Sequence, residues 1–329
     1  MSETRRTFLT AAAGLAATGA SGAAPKSSAK SKVGCCSWNI HGYAPGSNAE
    51  AAVETIGELG FDAVELILLA PQDVGNYWTD PTLDRIKKKI ERYHLQLTQF
   101  VVFMRAVPDL ASQNAEARAR TLDIFEAGCK IAQKLGAPIV NLSSPWAEEM
   151  KGPGEVLVNY FDVNDPKPGE KYHINFAPGF TWGEVWQRYV QTTRECVARA
   201  KAHALHLTIE PHTNCLVHDA TAFLRLWDTI RDPALGCNLD IGFAARAREY
   251  PPLAIYQLNE HLMNLHMRDV DGLMRKFVPF GDGVMDAKAI ADALKAIGYQ
   301  GGLSIEQDRT PQVKVSCARY LETMRQHLV

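Results

Sequence analysis

Four short apolar runs in the second half of the chain each end on a side chain that can bind a hard metal ion. They are HLTIEPH with Glu210, GCNLDIG with Asp240, LMNLHMRD with His266 and GGLSIEQD with Glu306. Any one of these residues alone has an ordinary explanation as a helix cap, an ion pair or a satisfied core histidine. Four at equivalent places ask for more, because buried carboxylates repel one another unless a proton or a cation intervenes. Three carboxylates and an imidazole at one end of a parallel barrel make a site for a divalent metal and an oxygen-rich substrate.

The surrounding pattern predicts the elements that would hold them there. Strand-like runs at VGCCSWNI from Val33, AVELILL from Ala63, LQLTQFVVF from Leu95 and IVNLSS from Ile139 precede those four, giving eight in all. Amphipathic stretches fall near 51–59, 81–93, 113–135, 182–204, 219–230, 252–260, 287–297 and 311–327. Alternation of this kind is the signature of parallel βα units, and eight of them close into an α/β barrel. Ser47 with Glu50 and Thr181 with Glu184 have capping-box spacing, while Gly60, Gly136 and Gly298 follow helix ends where a left-handed residue is wanted. An open doubly wound sheet ranks lower, since CSWNIHGYAPG after the first strand carries neither G-x-G-x-x-G nor G-x-x-x-x-G-K. From Pro145 to Phe180 the rhythm breaks into a Gly, Pro and aromatic-rich insertion after strand four, a candidate hairpin, lid or subunit contact on the catalytic face.

A length of 329 residues with 46% hydrophobic and 22% charged residues suits a globular chain with a sizeable core, and a net charge of −2 gives no footprint for nucleic acid. Residues 1–30 carry Arg5 and Arg6 ahead of Phe8 and Leu9, then an Ala/Gly-rich stretch too short to span a bilayer. This resembles a twin-arginine export signal cut near Ala23 or Ala24, so a periplasmic or exported protein, with no membrane attachment once mature, is expected; the barrel would occupy 31–329. The seven cysteines lie in periodic segments without C-x-x-C spacing and are expected as buried free thiols, with Cys35 and Cys36 on opposite faces of one strand.

The stretch NLHMRDVDG followed by FVPFGDGVMDAKAIADALKAIGYQGGLSIEQD, together with IEPH and NLDIG, resembles the xylose isomerase-like TIM barrel family, which includes sugar-phosphate isomerases and epimerases, ketose 3-epimerases and inosose dehydratases. The resemblance covers essentially residues 33–329. It implies a single (β/α)8 barrel, Glu210, Asp240, His266 and Glu306 as metal ligands, and Mn²⁺ first, with Mg²⁺ or Co²⁺ as alternatives, as the ion; oxygen-dominated ligation favours such harder ions over structural zinc. It implies a carbohydrate substrate and Glu210 and Glu306 as the catalytic acid/base pair. Pairing of the family's barrels makes a homodimer an expectation.

An ion gripping a carbonyl and the adjacent hydroxyl would polarise the ketone and stabilise the enediolate formed when the α-proton leaves. Isomerisation or epimerisation follows if the proton returns. A lyase or dehydratase acting on a keto-sugar, keto-glycoside or inosose is the alternative, expelling a β-substituent instead, and a noncatalytic sugar-binding barrel is the third reading. Around the centre, His212 shares the strand face of Glu210 and Arg268 that of His266, with pairing to Asp269 or Asp271 the plain role for Arg268. Glu65 is expected to reach substrate, and Trp38, Asn39 and His41 to wall the pocket from the end of strand one; Asn141 and Ser143 end strand four. Gly281 and Gly283 are expected to shape a turn near the site. Two departures limit the transfer: Phe243 stands where many relatives carry a His three residues after the strand-six Asp, and Arg268 stands where some carry Lys, which makes it a binding group and not a base.

Overall fold

Eight parallel strands hydrogen-bond in the closed order β1-β12-β9-β8-β7-β4-β3-β2, and helices cover the outside, so the chain is an α/β TIM barrel. The computed structural model describes residues 31–46, 48–151, 175–272, 276–307 and 311–328. The expected export signal, Ser47 and residues 152–174 of the insertion lie outside the described residues. In chain order the elements are β1 (Lys32–Cys36), α1 (Trp38–His41), α2 (Ala49–Glu58), β2 (Ala63–Leu68), α3 (Asp73–Asn76), α4 (Asp80–Arg92), β3 (Gln96–Val102), α5 (Ala115–Leu135), β4 (Ile139–Ser143), β5 (Met150–Lys151), β6 (Asn175–Phe176), α6 (Trp182–Ala202), β7 (His206–Glu210), α7 (Ala220–Ile230), β8 (Leu235–Asp240), α8 (Ile241–Arg246), α9 (Pro251–Leu258), β9 (Leu262–Met267), β10 (Asp269–Val270), β11 (Phe277–Val278), α10 (Ala287–Ala296), β12 (Gly302–Ile305) and α11 (Val313–His327).

Strands covered on both faces read as continuous apolar runs because helices shield one side and the barrel interior the other. Thus β2 is buried at all six positions, and the main core lies between strands and helices, around Leu66, Phe100, Val102, Phe125, Leu207, Phe223 and Leu303. The expected helices recur within a few residues of their predicted limits. Thr181 stands at the start of α6 without a side-chain cap, and at α2 it is Asn48 whose side chain accepts from the Ala51 N–H. The first strand is shorter than its sequence run: Ser37 already has helical angles (φ −61°, ψ −31°), so Trp38, Asn39 and His41 lie on a single helical turn closed by Gly42. All seven cysteines are buried and free. A two-residue antiparallel pair, β5 with β6, forms the base of the insertion after β4. Among the described residues no helix is long and apolar enough to cross a membrane.

Candidate metal centre

Register turns four separate segments into one centre. β8 and β9 set Asp240 beside His266, β9 and β12 set His266 beside Ser304, and β4 and β7 set Ser143 beside Glu210. Glu210 and Asp240 end their strands, His266 is next to last in its own, and Glu306 follows the last residue of β12. Ligand-capable atoms of all four lie within 4.8 Å of one another, and all four residues are buried.

Each side chain is aimed by a partner behind it. The His266 Nδ1 atom stands 2.7 Å from Glu306 Oε2 and 3.4 Å from Glu210 Oε1, while its Nε2 is held 2.9 Å from Glu65 Oε2. Asn238 donates to Glu210 Oε2 at 2.9 Å. The Trp38 Nε1 and Tyr43 hydroxyl both donate to Glu306 Oε1 at 3.0 Å. Asp240 also caps α8, its Oδ1 accepting from the Gly242 and Phe243 N–H groups at 2.8 and 3.0 Å, and its Oδ2 accepts from Arg268 Nε at 2.6 Å. The Arg268 Nη2 donates to Glu306 Oε1. Glu306 Oε2 is buried, with His266 Nδ1 its neighbour at 2.7 Å. An oxygen and a nitrogen facing each other in this way, with Glu210 and Asp240 alongside, fit a divalent cation.

Burial and charge pull the acids apart. Desolvation pushes Asp240 up to about 6 and raises Glu210, the nearby Arg268 and His266 cations only partly opposing it. Desolvation would raise Glu306 too, but Arg268 and His266 overcome it and hold that carboxyl well below the usual range. Burial lowers His212 to about 4, so its ring is neutral at physiological pH. Burial works against a charged His266 as well, yet the surrounding Cys36, Glu65, Glu210 and Glu306 raise it.

Trp38, His212, Arg268, Glu210 and Glu306 line a narrow cleft of about 20 Å³, with Tyr43, Ile67, Val101, Phe103, Ser143 and Phe243 completing its wall. Two expected substrate contacts lie elsewhere. Glu65 is fully buried beneath His266, both its oxygens taken by Gln99, Asn264 and His266, because it sits inside its strand and not at the end. His41 is turned toward Ser37 and the Gly42 carbonyl by the helical turn that replaced the predicted strand end, and does not line the cleft. Arg268 bonds the centre in place of Asp269, whose two oxygens accept from the N–H groups of Val270, Gly281, Gly283 and Met285.

A buried polar ring below the centre went unrecognised in the sequence. Asn141 donates to Thr208, Thr208 to Gln99, Gln99 to Glu65; Asn264 donates to both Glu65 and Asn238. A signal was present: Thr208, Asn238 and Asn264 each precede a metal-capable residue by two, and a strand's period of two puts both on the same face. The pairing irregularities of the barrel fall at Glu65 and Asn238, where such shifts re-aim side chains. Cys36 was also missed; with Glu65 and His266 it forms a second metal-capable group on the far side of the imidazole.

The model of the xylose isomerase-like TIM barrel family matches residues 53–324. A curated relative, the L-ribulose-5-phosphate 3-epimerase UlaE of Salmonella paratyphi A, is 22% identical over 64% of this chain, and the match spans 65% of that relative's length. Among solved structures, D-psicose 3-epimerase from Clostridium cellulolyticum H10 superposes with a TM-score of 0.69 at 17% identity, covering 90% of this chain and 99% of the other. The 3-keto-D-glucoside 4-epimerase YcjR of E. coli gives 0.67 at 15% identity, covering 90% and 100%. At such identities the superpositions speak to fold, and the family model speaks to descent. The chain belongs to the xylose isomerase-like TIM barrel family.

Proposed function

We propose that this chain is a divalent-metal-dependent epimerase or isomerase of a sugar or sugar derivative, moving a proton at the carbon next to a carbonyl. One observation carries the reading: Glu210 and Glu306 each have one oxygen anchored, by Asn238 and by Trp38 with Tyr43, and the other turned to His266 Nδ1. The names of the three relatives given above, each a sugar or sugar-derivative epimerase, support it.

Glu210, Asp240, His266 and Glu306 would hold the ion, with Mn²⁺ favoured by the oxygen-rich set. When bound, it supplies positive charge that polarises a substrate carbonyl and acidifies the neighbouring C–H. Glu210 and Glu306 would serve as the acid/base pair, one taking the proton next to the carbonyl and the other supplying one to the carbon that lost it, the two titrating as a coupled set. The neutral His212 ring, seated at 4.2 Å against Phe243, offers hydrogen bonds to a sugar hydroxyl without adding charge. Trp38, Phe103 and Phe243 give the cleft apolar walls that exclude water. The paired Arg5 and Arg6 further support an exported enzyme.

The test incubates metal-loaded protein with ketoses, keto-glycosides and inososes in D₂O and follows them by NMR. Solvent deuterium should enter the carbon next to the carbonyl, and both Glu210→Gln and Glu306→Gln should cut that exchange by about 10²-fold or more. An unsaturated product would assign elimination instead. Undiminished turnover and metal content in Glu306→Gln would remove the acid/base assignment.

A further inference from the structure

Arg268 is among the largest fully buried side chains of the protein, and its guanidinium is seated in a built slot. One wall is the Phe277 ring at 4.4 Å and another the Phe243 ring at 5.5 Å. Gly242 leaves room for it, since a Cβ there would come within 2.7 Å of Arg268 Cβ and 2.9 Å of the Phe277 ring. The fork then spans Asp240 Oδ2 and Glu306 Oε1, two residues of the metal-capable group.

We propose that Arg268 is the resident counter-ion of the centre, and that guanidinium and divalent metal take turns on the Asp240 and Glu306 carboxylates. The inference rests on the metal reading of this site. Asp240 has little else to give: its Oδ1 is committed to two backbone N–H groups, and its Oδ2 is already charge-paired. Glu306 Oε1 takes three donors at once. An ion drawing on Asp240 Oδ2 would stand against a positive guanidinium in a site where water does not screen the repulsion. The carboxylates therefore exchange one cation for the other. In the metal-free protein the arginine keeps the carboxylates from repelling one another and so keeps the centre preformed; in return it weakens the affinity for the ion.

The test follows occupancy and not turnover. The full chain, stripped with chelator and labelled with ¹⁵N-arginine, is titrated with Mg²⁺ while the Arg268 Nε–H resonance is watched, its assignment made by its absence in Arg268→Lys. That resonance should shift or broaden in step with Mg²⁺. In parallel, free Mn²⁺ is counted by electron paramagnetic resonance against wild type, Arg268→Lys and Arg268→Met, with affinity expected to rise by about tenfold or more in the neutral Arg268→Met and by less in Arg268→Lys, which keeps the positive charge. A resonance unmoved at saturating Mg²⁺, or an Arg268→Met chain that binds Mn²⁺ no tighter than wild type, would overturn the exchange while leaving the metal reading intact. Should Arg268→Met fail to fold, the neutral Arg268→Gln takes its place, and the wild-type resonance decides beside it. No binding by any of the three chains would overturn the metal reading itself, and the exchange with it.

Discussion

At the residue scale the centre depends on the groups behind it as much as on the four that face it. His266 can present Nδ1 to Glu210 and Glu306 only while its other nitrogen is fixed, and Glu65 Oε2 fixes it at 2.9 Å. Glu65 is itself held by Gln99 and Asn264, so a chain of buried polar groups sets the ring's orientation and tautomer. Replacing Glu65 with Gln keeps the shape and removes the negative charge beside His266 Nε2, a charge that would make that ring a stronger ligand. Mn²⁺ affinity should fall by about 10- to 100-fold, measured by titration calorimetry, with the fold retained by circular dichroism. An affinity equal to wild type would show that Glu65 is a plain core carboxylate. The sequence pointed to Glu65 as a substrate contact, whereas its oxygens are taken by Gln99, Asn264 and His266, because a Glu inside a strand and one at its end look alike until the barrel's layers are known. Phe243 and Arg268 were read as two separate departures from the family pattern. They are in fact neighbours, the guanidinium 5.5 Å over the ring, a relation that no spacing in the chain records.

At the scale of elements, the segment between β9 and α10 is organised around one carboxylate. Asp269 collects four backbone N–H groups, from Val270, Gly281, Gly283 and Met285, at 2.9 to 3.1 Å. Gly281 supplies the left-handed angle this needs, with φ of 90°, whereas Gly283 supplies space, since any Cβ there would collide with Asp269 and the Val270 carbonyl. The two glycines thus do different work in what the sequence presents as one turn. Asp269→Ala leaves four donors without their acceptor and should cost about 3–5 kcal/mol in chemical denaturation. Asp269→Asn should lose nearly as much, because its amide NH₂ must face N–H groups on one side. A loss below about 1 kcal/mol for both would mean that water replaces the carboxylate freely. Helix and strand positions were legible because burial imposes periods of 3.6 and 2 on the apolar residues. The short helices α1 and α8 were not, since each begins directly at a strand end and four to six residues are too few to display a period. At α8 the cap is Asp240, a residue type that fits a metal ligand equally well.

Across the whole molecule, the metal-capable residues come from the ends of four neighbouring strands, β7, β8, β9 and β12, and Glu65, which meets His266, comes from β2 on the far side of β1, so that contact needs the barrel closed. A chain in which those strands are unpaired does not bring Glu210 and Glu306 together, so binding of an ion at this centre would be linked to folding. The barrel order was legible from eight repeated units; the meeting point was legible only as a common position at strand ends, since register is fixed by pairing and not by any single run. Linkage makes the closure measurable. An ion present at about 100 times its dissociation constant stabilises the folded state by about 2.7 kcal/mol. For a domain of this size that corresponds to a rise of about 4 °C in Tm. Scanning calorimetry of chelator-treated protein over a series of Mn²⁺ concentrations should therefore show Tm climbing with the logarithm of free ion. Glu65→Gln should follow the same line displaced to higher Mn²⁺, because the ring it aims is less well held, and Asp240→Asn should flatten it. A Tm that ignores Mn²⁺ at every concentration would mean that the four strand ends meet for some purpose other than holding a cation.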